Sequence, residues 1–216
     1  MQSVEIVFGA RQLDRIVTNA DELLLQYRQD TGCDYLDYKP ITPGDRVLPE
    51  DLAVTLLVNS HAGYLAFQSI QQHGAEIDLA VLPAVPLEQT SENERSHVAE
   101  VIAKVASWPG IAASTATKVL HKKRPDLIPI LDNQAIFGAY MKPERPSPGR
   151  VRDRDLIQKA LDWITIDLCR PENQSAWLIL QEIEPTRTRI QLFDCVWWMD
   201  SNEERKRSAQ LHKPNG

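Results

Sequence analysis

Apolar residues recur at helical spacing through most of the chain, and the pattern predicts a largely helical protein. From Arg11 to Gln29, Leu13, Ile16, Val17, Leu24 and Tyr27 fall near the helical period, and Gly32 follows as a stop. Cys33 to Pro49 carries Pro40, Pro43 and Gly44 and reads as an irregular loop. Pro49 then opens a helix, with Glu50 and Asp51 where the helix dipole favours acids. It is expected to run through LAVTLLVNS to about Gln72, with Gly74 capping its end. Its first half is apolar almost all round, the mark of a central, buried helix.

Beyond Pro83 and Pro86, Ser91 and Glu94 have capping-box spacing. The helix they open places Val98, Ile102, Val105 and Ala106 on one face and stops near Trp108, because Pro109-Gly110 cannot continue it. A second helix is expected from about Ser114 to Lys122, and a third from Asp132 or Asn133 through Ile136 and Phe137 to about Tyr140. PERPSPGR reads as a loop; further helices fit Asp153–Cys169 and about Asn173–Glu182. IQLFDCVWWM suits helix or strand, with helix preferred, and the polar tail after Asp200 is expected to fray. The fold expected is all-α, at most with a short N-terminal strand. It comprises one helical domain over residues 1–200 and a polar tail over 201–216.

Composition adds little to that outline. A chain of 216 residues can enclose a substantial core. No run of about 18 apolar residues suggests a membrane span. MQSVEIVFGARQLD lacks the basic head and apolar core of a secretory leader. Cys33, Cys169 and Cys195 form no CxxC pair, so neither a disulfide scaffold nor a zinc site is expected, and no other cofactor is indicated. A reducing cytoplasm is the simplest home.

Charge changes the picture more. The net charge of −6 argues against a generic nucleic-acid binder, yet residues 1–100 balance at −10 and residues 101–216 at +4. Between Lys118 and Arg154 there are 9 basic and 4 acidic residues. That stretch is either one basic face or a solvated loop rich in Arg and Pro.

Two helices joined by Pro109-Gly110-Ile111-Ala112 form a helix-hairpin-helix pattern. Such a turn exposes successive backbone N–H groups at the start of the second helix, which suits a phosphate oxygen. WPGIAASTATKVLHKKRPDLIPILDNQAIFGAY resembles the matching region of the helix-hairpin-helix DNA glycosylase superfamily, most of all its adenine-excising branch, where S-T-A and a later P-I-L-D-x-N recur. The chain also resembles an uncharacterised bacterial family without established activity. That family shares the KVLHKKRPDLIPILD and YKPITPGDRVLPEDLAVTLLVNS stretches.

The glycosylase resemblance implies that Asp132 is the catalytic aspartate, that Gly110, Ile111, Ala112, Ser114 and Thr115 hold DNA phosphate, and that double-stranded DNA is the partner. Lys118, Lys122, Lys123 and Arg124 are then accessory cations. Ala112 stands where the pattern has a second glycine, and Ser114 stands where bifunctional members carry a Schiff-base lysine. The four cysteines of the iron–sulfur branch are absent. The version consistent with these departures is a monofunctional, water-using enzyme.

Removing a base builds positive charge on the sugar, and a carboxylate stabilises it. The bland reading of Asp132 is a helix N-cap, worth roughly 0.5–2 kcal/mol. Lys118, one turn beyond Ser114, is expected to be solvated. Trp163, Trp197 and Trp198 suit either base stacking or the core, with the core preferred. Tyr35 and Tyr38, beside Asp34 and Asp37, line or cover a pocket. His61 is expected as a core histidine, and Asp45, Glu50 and Asp51 cluster in sequence, where spacing alone does not give the geometry a metal site needs. Three functions stay open: glycosylase-like hydrolase, non-catalytic DNA-binding module, and protein-association scaffold.

Overall fold

A computed structural model describes residues 3–9, 15–30, 35–39, 42–58, 62–142 and 151–211. Arg11–Asp14, Cys33, Asp34, Pro40, His61 and the PERPSPGR loop lie outside them. The described chain is mostly helical with one small sheet, as the apolar spacing implied.

The chief correction lies at the N-terminus. Ile16 and Val17 belong not to a helix but to β2 (Arg15–Val17), which pairs antiparallel with β1 (Ile6–Phe8). Three-residue strands give periodicity no window in which to register. The ladder is completed by a side chain. Asn173 Oδ1 accepts from the Val7 N–H at 2.9 Å, and its Nδ2 donates to the Val7 carbonyl at 2.9 Å. One amide thus takes the place of a neighbouring strand. Phe8 enters an aromatic core, 5.3 Å from Phe193 and 5.1 Å from Trp197, in edge-on contacts.

Helix α1 (Ala20–Asp30) packs on α7 (Arg189–Leu211). Between α1 and α2 (Tyr64–His73) lies a 3-10 helix, Pro49–Val58, so the single buried α-helix expected here is two elements. Its apolar run is buried on one side only: Leu52 and Val54 enter the core, whereas Leu56 is 66% exposed. The side chain of Asp51 accepts from Thr42 Oγ1 at 2.6 Å and from the Leu48 N–H at 2.9 Å, fixing the entry to this segment. Gly74 does end α2, in ordinary right-handed backbone. A Cβ there would strike the Val47 carbonyl oxygen, so close approach is what requires glycine.

Helix α3 (Glu92–Ser107) opens with the complete Ser91/Glu94 capping box and buries Val98, Ile102, Val105 and Ala106. It packs on α4 (Ala113–Lys123) and α5 (Arg154–Cys169), the latter capped by Asp153. After α4 the chain passes through Ile128–Leu131 into a turn and a short π-helix, Ile136–Tyr140. Helix α6 (Gln174–Ile183) leads to α7, which settles IQLFDCVWWM as helix and continues through the polar stretch to Leu211 instead of fraying at Asp200.

Candidate functional site

Asp132 stands between α4 and the π-helix, and its two oxygens have different duties. Oδ1 accepts from the backbone N–H of Gln134 at 2.7 Å and of Ala135 at 3.0 Å. Oδ2 lies 3.7 Å from Lys118 Nζ. The capping reading of Asp132 is therefore met through Oδ1, which leaves Oδ2 facing Lys118.

Lys118 is not solvated, contrary to expectation. It is 7% exposed, and burial pulls its ammonium below the usual lysine range, with the charge and hydrogen bonding of Asp132 opposing. A turn of α4 brings it to face Asp132, because its neighbours Thr117 and Val119 pack into the core.

Both residues line a cavity of about 320 Å³. Tyr27 from α1, Tyr35, and Trp197 and Trp198 from α7 supply aromatic walls, and Leu57, Val58 and Ile130 supply aliphatic ones. Tyr27 and Trp198 meet edge to face at 6.0 Å. The Trp197 indole is pinned by donating to the Ala135 carbonyl at 2.7 Å, and the Tyr35 hydroxyl by donating to the Lys118 carbonyl at 2.6 Å. Trp197 and Tyr35 are thus core and cavity wall at once, whereas Trp163 is core and does not line the cavity. Tyr38 is absent from the lining.

Sequence reasoning missed Asp194. It sits inside the apolar IQLFDCVWWM run on α7, where one acid among hydrophobic residues carries no motif. Its carboxyl lines the same cavity and accepts the Ile130 N–H at 3.3 Å. Burial pushes its proton affinity well above the usual aspartate range, and the Asp132 charge adds to this. One signal was available: on a helix whose apolar residues are buried almost all round, an acid needs a reason to be there.

The hairpin residues stand elsewhere. None of Gly110, Ile111, Ala112, Ser114 or Thr115 lines this cavity. Gly110 has a left-handed φ of 79°, and a Cβ there would lie 2.6 Å from the Ala66 nitrogen, so the turn is seated on the start of α2. The Ala113 N–H donates to the Val151 carbonyl at 2.9 Å, and Arg152 donates to the Ile111 carbonyl at 3.1 Å. Ile111, Ala112, Ala113 and Ser114 are buried, and Thr115 is half-buried.

The remaining accessory cations turn inward. Lys122 donates to the Tyr38 carbonyl at 2.8 Å and stacks 4.2 Å from the Tyr35 ring centre; burial and the Arg187 charge bring it down to about 8. Lys123 donates to the Thr42 carbonyl at 2.6 Å and lies 3.3 Å from Asp51. Arg124 donates to the carbonyls of Leu79 and Pro83. The local excess of positive charge is directed here at loop carbonyls. Asp45, Glu50 and Asp51 form no metal site; among the described residues no His, Cys, Asp and Glu cluster could hold an ion.

Fold and site together define an all-α protein with an aromatic cavity bearing two carboxyls and a buried lysine. Residues 15–201 match the family of unknown function DUF6308, and the chain belongs to that family. Neither the curated proteins nor the solved structures give a match. No helix among the described residues is long and apolar enough to cross a membrane.

Proposed function

We propose that the chain is a glycosylase-like hydrolase whose cavity takes a nucleobase, with Asp132 stabilising the positive charge that builds on the sugar as the N-glycosidic bond breaks. The observation that carries this reading is the position of Asp132. Its Oδ1 is locked by two amides while its Oδ2 borders an aromatic cavity beside Lys118. A carboxylate held that rigidly needs little reorganisation when charge develops next to it. Flat rings suit walls of Trp and Tyr, and a base leaving a duplex must find such a pocket.

The duplex part of the reading draws less support. Gly110, Ile111, Ala112, Ser114 and Thr115 would have to serve as phosphate donors while the turn is packed on α2 and the Val151–Arg152 strap. Lys122, Lys123 and Arg124 would have to release internal carbonyls. The test is base release from free nucleosides, single strands and duplexes carrying damaged or mismatched bases, with Asp132→Asn as control. Activity that survives this substitution removes Asp132 from the role. Tight duplex binding should fall steeply with salt.

A protein-association scaffold is the second reading. It is favoured by Leu56, Tyr64, Leu65 and Phe67, which are 66%, 73%, 57% and 46% exposed on adjoining elements. Sedimentation of the chain alone, compared with Leu65→Ser, tests whether that face associates.

A further inference from the structure

Two carboxyls border the cavity, and they are furnished differently. Asp132 has a lysine and two amides, whereas Asp194 accepts the Ile130 amide on Oδ2 and is enclosed by largely apolar neighbours. The titratable groups sharing the cavity with Asp194 are Tyr27, Tyr35, Lys118 and Asp132. Lys118 is directed to Asp132, and the Tyr35 hydroxyl donates to a backbone carbonyl, so both are engaged elsewhere. The neighbouring Cys195 is buried in the core.

We propose that Asp194 is the proton donor of this site, giving its carboxyl hydrogen to a ring nitrogen of the bound base while Asp132 attends the sugar. The assignment rests on the hydrolase reading above. Burial among largely apolar neighbours raises the proton affinity of the Asp194 carboxyl well above the usual aspartate range, and the Asp132 charge across the same cavity adds to this. Paired carboxyls of unlike environment are what glycoside cleavage uses.

The step balances without further reagents. The C–N electron pair leaves with the base, and the Asp194 proton neutralises the ring nitrogen that receives it. The sugar cation, held beside Asp132, is captured by one water. That water loses a proton, which restores the Asp194 carboxyl. Base and hydroxylated sugar are the only products, and no redox change occurs.

The experiment is the pH profile of base release for the full chain, read in the wild type, Asp194→Asn, Asp194→Glu and Asp132→Asn. Each variant is first checked for native circular dichroism. The expected wild-type rate falls as pH rises through the Asp194 titration. Asp194→Asn should lose roughly 100- to 10,000-fold in kcat and the alkaline fall with it, and Asp194→Glu should recover part of both. If Asp194→Asn keeps the wild-type rate and profile while Asp132→Asn is inactive, the donor assignment is overturned and the hydrolase reading stands. If no substrate releases its base, both are lost. A carbon-13 titration of the aspartate carboxyls tests the donor role independently of turnover. An Asp194 resonance that titrates at the ordinary 3.8 overturns that role whatever the activity. The same titration decides the matter if Asp194→Asn fails to fold.

Discussion

Lys118 Nζ lies 3.7 Å from Asp132 Oδ2, but the partners are unequal, with side-chain exposures of 9% and 26%. Removing either one therefore leaves a different remainder. Asp132→Ala strands a buried ammonium and strips the Gln134 and Ala135 amides of their acceptor. Lys118→Met leaves a carboxylate that keeps both amides and some solvent.

The first prediction is that asymmetry. Asp132→Ala should cost about 3 kcal/mol, the range for breaking a buried pair, and Lys118→Met about 1 kcal/mol. The double variant should recover part of the Asp132→Ala loss, since the stranded charge is gone. Urea unfolding of the four proteins measures all three terms. Equal losses for the two single variants would show that the lysine finds water when its partner is removed.

A second prediction separates two glycines with the same φ of 79°. Gly44 has open space where a Cβ would stand, whereas Gly110 would drive one to 2.9 Å from Leu65 Cβ and 2.6 Å from the Ala66 nitrogen. Gly44→Ala should cost only the left-handed penalty, about 1–2 kcal/mol. Gly110→Ala should cost clearly more and lower Tm further, because the hairpin must lift from α2. Similar Tm values for the two variants would mean that the turn is free to shift.

The Ser91/Glu94 box, the stop at Pro109-Gly110 and the helix from Asp153 were legible in sequence because each is a local arrangement of donors and acceptors. Asp132 was legible through the P-I-L-D stretch as a cap; that one oxygen takes the amides while the other lies 3.7 Å from Lys118 depends on three dimensions. Lys118 was misread, since spacing gives the face of a helix and not what covers it. Here the side chain borders a cavity whose other walls, Tyr35 and the α7 tryptophans, are far off in sequence. Asp194 was hidden for the same reason; β2 was missed because a three-residue strand, here paired with Ile6–Phe8, is too short to show a period.

Asn173 supports a third prediction. Its Nδ2 donates to Val7 and to the Asp167 carbonyl, at 2.9 Å each, while Oδ1 receives the Val7 N–H. Asn173→Asp keeps the acceptor and the shape but loses both donations, and it sets an anion against two carbonyls in a fully buried position. The expected loss is about 3 kcal/mol near neutral pH, shrinking as acid neutralises the new carboxyl. Unfolding at pH 4 and pH 7 compared with wild type checks it, and an equal loss at both would mean that geometry rather than charge is at fault.

The last prediction concerns His121, which is fully buried on α4. Nδ1 lies 2.7 Å from the Ile128 carbonyl, and Nε2 meets the Gln191 amide at 3.3 Å. Burial pushes the imidazole from 6.5 down to about 4, with the Ile128 contact opposing and the charges of Lys122 and Arg187 adding to the fall. The folded protein thus holds a neutral ring where the unfolded chain takes up a proton. Stability from this group is fully present above pH 6.5, declines as pH falls from there, and is lost below about 4. A displacement of that size corresponds to roughly 3 kcal/mol. Asp194 and Asp167, both raised by burial, act in the opposite sense, favouring the fold towards low pH and losing that advantage as pH climbs past 3.8. Wild-type stability alone is therefore a sum of opposed slopes, and the informative quantity is the difference from His121→Gln. That difference should narrow by a few kcal/mol between pH 7 and pH 4, since the variant has no proton to gain. If it is constant with pH, the ring is reached by water or already charged in the folded state, and the packing of Tyr35 against it at 6.2 Å is looser than described.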